Sequence, residues 1–320
     1  ETARLYGESN QAALALIDEI ISAEKINCDW VREDNYVFTT EQEQVDTFKD
    51  EAKLAKELGL PAHFETVTPL PFPVAAAVKF SNQGKIHSVK YLLGLAAALK
   101  KLGGQIFEES AAISIRDGSP AIVKTRDGKV IGKHIVVATQ VPTFPLVARG
   151  GYALLEYPTE SYGVAGTIDT DLTGMYISTD KNHYSLLPYE NGKERMLVVV
   201  GAGGNIPHFR GKESAEDRQR KLADYGERYF RVSEWKYRWA EYDYMAYDDL
   251  PIVGRLYPWS DNMYVATAFR KWGLSNGTVA AMVLRDRILD KYNPWSGVYD
   301  STRWGPVASI PRTISNFFKQ

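Results

Sequence analysis

The chain has 320 residues, of which 44% are hydrophobic and 24% are charged, and its formal net charge is -2. This length allows about two domains at roughly 100–200 residues each. The near-neutral charge provides no general attraction to nucleic acid or to an anionic membrane surface. Cys28 is the single cysteine, which excludes a disulfide framework and fits a reducing cytoplasm. No apolar run approaches the roughly 18 residues that a membrane span needs.

The first half of the chain alternates between helical and strand patterns. Apolar spacing and capping residues predict helices over 1–24, from Thr40 to Gly59, and from Ser88 to Leu102. Two short strands around a polar turn are predicted in "CDWVREDNYVFTT", and strand-like ends flank the prolines of "HFETVTPLPFPVAAAVKF". Further strands are predicted in "QIFEE", "AAISIRD", "AIVKTRDGKVIG" with its Asp-Gly hairpin turn, and "HIVVATQ".

The second half is rich in strands and aromatic residues. Five strands are predicted in "YALLEY", "SYGVAGTI", "MYISTD", "HYSLLPY" and "RMLVVVGA". A helix over 213–228, a strand-rich stretch over 234–254, a strand in "NMYVATAF" and a helix over 275–290 follow. We therefore predict a mixed α/β chain in which an α/β part and a β-rich part are interleaved.

The glycines in "LVVVGAGGNIPHF" suggest a dinucleotide-binding loop. Such a loop needs G-x-G-x-x-G and a helix that begins at the loop, because the helix N-terminus binds the phosphates. Ile206 stands at the position of the third glycine, Pro207 follows, and the next helical pattern begins only near Lys212. This favours a strand that ends in a glycine-rich turn. An NAD(P)-dependent dehydrogenase that uses residues 201–204 remains an alternative.

A second motif, "GLSNG" at 273–277, matches the G-x-S-x-G elbow of α/β-hydrolases. That fold places its histidine after the serine, whereas all five histidines here precede Ser275. The histidines also show no pair at ligand spacing, so we predict no metal site. A non-enzymatic β-rich binding module remains a further alternative.

The longest informative segment is "YDDLPIVGRLYPWSDNMYVATAFRKWGLSNGTVAAMVLRDRIL", residues 247–289. It resembles the C-terminal FAD-binding segment of the D-amino-acid oxidase/glycine oxidase-like flavoenzymes. The stretches "HIVVATQVPTFPL" and 80–109 are similar to other parts of the same FAD domain. The resemblance implies an FAD-dependent oxidoreductase that oxidises an amine, amino acid or similar small substrate by hydride transfer to flavin. It extends in particular to a subgroup with a C-terminal Rieske domain, which implies a [2Fe–2S] electron acceptor beyond Gln320.

The resemblance also implies a division into domains. The FAD-binding domain would comprise 1–24, 86–149 and 246–300, the antiparallel substrate domain 25–85 and 150–245, and a linker 301–320. The family's G-x-G-x-x-G motif belongs to a first βαβ unit, and this chain begins with Glu1 inside a helical pattern. We therefore expect an incomplete Rossmann-like domain in a chain truncated at both ends. Such a fragment is expected to bind FAD poorly and to be inactive alone.

Hydride transfer places negative charge on the N1–C2=O edge of a flavin, which a protein stabilises with N–H donors, a helix N-terminus or a cation. The resemblance assigns cofactor binding to residues around the last predicted helix: Asp249, Pro251, Gly254, Arg270, Lys271, Trp272, Gly273, Leu274 and Ser275. The predicted catalytic residues are Tyr184, Arg238 and Tyr242, of which the arginine could bind a substrate carboxylate. The family usually has glycine where this chain has Ala268.

Overall fold

The computed structural model describes residues 1–142, 150–181, 183–204 and 213–317, and side chains as far as residue 311. The chain forms two compact units, which alternate along the sequence. The first unit comprises 1–28, 88–158 and 243–320, and the second comprises 29–87 and 159–242. Ile206 and Pro207, on which the glycine-loop argument depended, lie outside the described residues.

The helices and strands follow one another as the alternation of patterns predicts. In chain order they are α1 Thr2–Glu24, β1 Val31–Thr39, α2 Val45–Glu57, β2 Ala62–Glu65, β3 Ala76–Lys85, α3 Ser88–Lys101, β4 Ala112–Arg116, β5 Ala121–Thr125, β6 Lys129–Gly132, β7 Ile135–Val137, β8 Glu156–Ile168, β9 Met175–Ser178, β10 Ser185–Asn191, β11 Glu194–Gly204, α4 Ala215–Phe230, β12 Val232–Ala246, β13 Ile252–Arg255, β14 Met263–Thr267, α5 Gly273–Ile288, α6 Ser296–Tyr299 and α7 Gly305–Phe317.

The first unit contains a three-stranded sheet in the order β13-β14-β7 and a meander in the order β4-β5-β6. Strand β14 runs parallel to β7 and antiparallel to β13. Apolar residues of α1 and α5, such as Ala13, Val279 and Val283, pack with Tyr264 of β14 in one core. Because β7 and β14 are parallel, their carboxyl ends, at Val137 and Thr267, meet at one edge of the sheet.

The second unit contains an eight-stranded sheet in the order β12-β8-β11-β10-β9-β1-β3-β2. Successive residues of a strand point to opposite faces, so Phe38 and Val37 of β1 belong to different cores. Phe38 packs in the core that includes Phe230 of α4. Val37 packs in the core that includes Phe48 of α2. The two helices therefore cover opposite faces of the sheet.

The glycine stretch 201–204 is the end of β11, as the missing helix signal predicts. Strand β11 is antiparallel to both β10 and β8. A Cβ atom added at Gly203 would overlap the carbonyl oxygen of Glu160 on β8, so the glycine is required by a close approach of two backbones. A phosphate-binding strand of the Rossmann type lies in a parallel sheet, which leaves the dehydrogenase alternative without a structural basis.

Three of the predicted elements are wrong. The region around Glu33 forms one strand, β1, whose pairing with β3 shifts register between Glu33 and Asn35; a bulge accommodates the polar residues that suggested a turn. The "QIFEE" stretch forms no strand, and its Ile106 and Phe107 are exposed. In place of a strand at "YALLEY", residues 150–152 are helical and β8 begins at Glu156.

None of the helices in the described ranges combines the length and the apolar character needed to cross a bilayer. Within the same ranges, no cluster of three or more His, Cys, Asp or Glu side chains is placed to hold a metal ion.

Candidate functional site

The carboxyl edge of the parallel pair β7 and β14 is where α/β folds bind their ligands. At this edge β14 ends at Thr267 and α5 begins at Gly273. We call the segment from Thr267 to Gly273 the 267–273 turn. It contains four of the nine predicted cofactor-binding residues, and the next two follow in the first turn of α5.

The backbone of the 267–273 turn is strained. Ala268, Arg270 and Lys271 have φ values of 58°, 53° and 64°, in the left-handed region that non-glycine residues seldom adopt. Such residues are concentrated at functional sites, where the surrounding structure holds them in place. Here the Arg270 N–H donates to the carbonyl of Tyr244, and the Lys271 N–H donates to the carboxylate of Asp243.

The N-terminus of α5 presents backbone donors to open space. Gly273, Leu274 and Ser275 form its first turn, where N–H groups have no acceptor within the helix and the dipole is positive. A Cβ atom at Gly273 would meet no atom within 4 Å, so a ligand can approach closely there. At Gly254 a Cβ atom would lie 2.5 Å from the Ser301 hydroxyl oxygen. Packing therefore accounts for Gly254, but not for Gly273.

Two charged groups around the turn, Asp243 and Lys271, have shifted pKa values. Burial raises the pKa of Asp243, although the N–H groups of Tyr244 and Lys271 oppose the shift. The Lys271 side chain is exposed, yet the protein atoms packed around its ammonium displace solvent and lower its pKa, against the attraction of Asp243. Arg270 pairs with Asp249 at 3.4 Å. A cluster of perturbed titratable groups in one place is typical of a functional site.

Two buried side chains beside the turn each have an unsatisfied oxygen. Glu156 is 2% exposed, its Oε2 lies 2.8 Å from the Thr267 hydroxyl, and its Oε1 has no partner among the described residues. Asn276 is 1% exposed, and its amide donates to the Phe269 carbonyl while its Oδ1 likewise lacks a described partner. Buried acceptors without a donor are costly, so the site suits a ligand that brings hydroxyl or N–H donors.

Glu156, Thr267 and Asn276 were absent from the predicted site. The sequence signal that could have identified Glu156 was a single carboxylate within the apolar stretch "YALLEY". Interpreting this stretch as a strand places the carboxylate at a surface. Burial raises the pKa of Glu156 to about 8, and the Thr267 hydroxyl opposes that shift.

The remaining predicted residues lie elsewhere. Pro251 is buried before β13, where its carbonyl accepts a hydrogen bond from Arg303 at 2.9 Å. In the second unit, Tyr184 packs on Tyr225 of α4 with 4.0 Å between ring centroids. Arg238 and Tyr242 are exposed on β12, which β8 and β11 separate from β10 beside Tyr184. The structure does not bring Tyr184 together with Arg238, and the catalytic roles of these residues stay predictions.

A family model matches most of the chain. The family model described as DAO, FAD dependent oxidoreductase, matches residues 1–287. A putative Rieske 2Fe-2S iron-sulfur protein of Bacillus subtilis is 28% identical over 315 residues, which cover 98% of this chain and 61% of the relative.

Solved structures share the fold at low sequence identity. Glycine oxidase from Geobacillus kaustophilus superposes with a TM-score of 0.78 and 19% identity, covering 93% of this chain and 82% of that one. L-proline dehydrogenase from P. horikoshii superposes with a TM-score of 0.75 and 18% identity, covering 95% and 83%. In comparison, the chain spans about three fifths of the length of the Bacillus relative.

Proposed function

The chain belongs to the DAO family of FAD dependent oxidoreductases, and on this premise we propose that it is part of a flavoenzyme that oxidises an amine or an amino acid. The observation that carries the proposal is the start of α5, where a strained turn, cationic side chains and open space over Gly273 coincide. The resemblance seen in residues 247–289 points to the same segment.

The residues of the site fit a flavin, which when bound supplies an acceptor for a hydride from the substrate. The N–H groups of Gly273, Leu274 and Ser275 and the positive end of α5 stabilise negative charge brought against them. Arg270 and Lys271 add positive charge in the same turn. Asp249 orients Arg270 through their ion pair and through a carbonyl that accepts from the guanidinium at 3.5 Å.

For substrate binding we propose Arg238 and Tyr242 of the second unit. Both are exposed on β12, and a guanidinium binds a carboxylate through two parallel hydrogen bonds. An amino acid would use this contact, whereas a simple amine would not. Direct hydride transfer from a neutral amine to a flavin needs no general base.

We further propose that another segment completes the FAD site. The support is an apolar surface in the first unit, formed by α3 and the stretch after it. Its exposed residues are Val89, Leu92, Leu93, Leu99, Leu102, Ile106 and Phe107. Exposed apolar residues concentrated in one segment are typical of an interaction site, and a strand–GxGxxG–helix unit has the apolar faces to cover them. The natural electron acceptor proposed for the whole protein is a Rieske centre, supported by the name of the Bacillus relative.

Spectroscopy of the purified 320-residue chain tests these proposals. We expect little of the visible absorption band of oxidised flavin in this chain, and a strong band in the longer product of its own gene. In the longer product the band should bleach when an amine or amino acid substrate is added. Stoichiometric flavin in the 320-residue chain would refute the need for a further segment. A longer product without flavin would refute the flavoenzyme.

A further inference from the structure

One buried carboxyl group beside the 267–273 turn has no role in the proposed chemistry. Glu156, at the start of β8, contacts the hydroxyl of Thr267, the last residue of β14. The same hydroxyl also contacts the carbonyl oxygen of Gln140, which follows β7. A single hydroxyl group therefore links the carboxyl ends of both parallel strands to a third segment of the chain.

The Thr267 hydroxyl has a single hydrogen for these two contacts, so the acceptor that it uses depends on the protonation state of Glu156. The Gln140 carbonyl can only accept. When Thr267 donates to Gln140, the 2.8 Å contact with Glu156 needs a proton on Oε2 of the carboxyl group. Glu156 is then a neutral acid that donates to Thr267. Its Oε1 is left as an acceptor for a donor from a ligand or water.

The surroundings of Glu156 agree with a neutral acid. The titratable groups that act on it are Asp243 of β12 and Tyr152 of the helical stretch 150–152, and neither carries positive charge. Burial is the largest influence on the pKa of Glu156 and raises it to about 8. Burial also raises the pKa of Tyr152, whose hydroxyl donates to the Leu256 carbonyl at 3.2 Å.

We propose that Glu156 is a positioning residue: through Thr267 its carboxylic acid holds the 267–273 turn, and with it the start of α5, in the conformation that binds the ligand. The identity of that ligand as a flavin rests on the proposed function, whereas the link itself does not. Glu156 would touch neither substrate nor reacting atoms to perform this role.

Four single variants of the 320-residue chain, and the double variant Glu156→Leu/Thr267→Val, separate the contributions. Glu156→Gln keeps the shape and donates an N–H to Thr267 but cannot ionise, whereas Glu156→Leu removes the link. Thr267→Val removes the hydroxyl at nearly constant volume. Glu160→Gln is the matched control, because Glu160 is a buried carboxylate on the same strand that accepts from Tyr162 at 2.6 Å.

The first measurement is the infrared carbonyl band of a protonated carboxylic acid at neutral pH. The band should disappear in Glu156→Gln and persist in Glu160→Gln. The second is hydrogen exchange of the backbone amides of residues 268–274. Glu156→Leu and Thr267→Val should each speed it about tenfold, the effect of losing one buried hydrogen bond, without further acceleration in the double variant. Glu156→Gln should leave exchange unchanged at neutral pH.

Each opposite result overturns the proposal. A band that survives in Glu156→Gln would show that Glu156 is ionised, and unchanged exchange in both Glu156→Leu and Thr267→Val would show that the link holds nothing. FAD titration of the longer gene product, with and without Glu156→Leu, separates this proposal from the proposed function. If no form of the protein binds FAD while Glu156→Leu still loosens the turn, the flavoenzyme fails and the link stands. If the variant loosens the turn and binds FAD as tightly as the wild type, the positioning role fails.

Discussion

Two strands of this protein are followed or ended by glycine but serve different purposes. In the second unit β11 ends in "GAGG", and in the first unit β14 leads through "ATAFRKWG" into α5. Gly203 has no room for a side chain because the Glu160 carbonyl lies against it, whereas Gly273 faces open space. A glycine at the end of a strand or after it thus indicates that another backbone segment or a ligand approaches closely. A helix that begins at the glycine, as α5 does at Gly273, indicates a ligand.

The two segments also differ in what holds them. Strand β11 is held by backbone pairing with β8 and β10. The 267–273 turn depends on the side chains of Asp243, Glu156 and Asn276, which belong to three other parts of the first unit. Left-handed backbone alone does not distinguish the two, because Ala202 in β11 has a φ of 49°.

The largest effect is expected from Arg303→Ala, which tests how strongly side chains hold the loop before β13. The Arg303 guanidinium donates to both carboxylate oxygens of Asp248, at 2.7 and 2.8 Å, and to the carbonyls of Leu250 and Pro251. Its loss leaves the Asp248 carboxylate, whose side chain is only 11% exposed, without its cationic partner, and should lower the free energy of unfolding by about 3–5 kcal/mol, measured by urea denaturation.

The control for Arg303→Ala is Arg195→Ala in the second unit. Arg195 forms partly exposed ion pairs with Glu190 and Asp171, and such pairs contribute about 0–1 kcal/mol. Equal losses in the two variants would mean that the Arg303 contacts are no stronger than surface pairs.

The next largest effect is a pH dependence of the stability of the first unit, which we expect Glu156 to cause. The folded state holds a proton with a pKa of about 8, whereas an unfolded glutamate releases it near its ordinary value of 4.5. Stability is therefore greatest below the unfolded value and is lost as pH rises through the folded one. This contribution falls by about 1.4 kcal/mol for each pH unit in that window.

Unfolding free energies of the wild type and of Glu156→Gln, measured across this pH range, isolate the contribution. Because the amide cannot ionise, the free energy of unfolding of the variant should rise relative to that of the wild type as the pH increases. Parallel curves would assign the ordinary pKa to Glu156 and remove one of the side-chain supports of the 267–273 turn.

A matched pair of glycine substitutions tests the contrast between the two segments directly. Gly203→Ala should lower the free energy of unfolding by about 1–3 kcal/mol, because its Cβ overlaps the Glu160 carbonyl. Gly273→Ala should change it by less than about 0.5 kcal/mol but weaken FAD binding by the flavin-binding form of the protein. The reverse pattern would place the ligand at β11.

The order of strand, turn and helix at residues 263–288 could be predicted from the sequence, because apolar spacing and a glycine are local signals. The left-handed conformations of Arg270 and Lys271 could not, since no glycine or asparagine marks them. The role of Glu156 depends on Thr267, 111 positions further along the chain. Gly254 shows the opposite case, in which a local pattern was misleading. The pattern suggested a cofactor loop, whereas the fold places Ser301 against Gly254.

The smallest effect is expected from Ala268→Gly, which measures the strain in the 267–273 turn. Ala268 is 3% exposed with a φ of 58°, and a left-handed L-residue costs about 1–2 kcal/mol. Glycine removes that cost but adds about 0.5–1 kcal/mol of chain entropy, so the variant should be stabilised by up to about 1.5 kcal/mol. Ala202→Gly should behave likewise, whereas Ala266→Gly, within β14, should destabilise. If Ala268→Gly destabilises as much as Ala266→Gly, the turn is unstrained, and the open space at Gly273 alone separates it from β11.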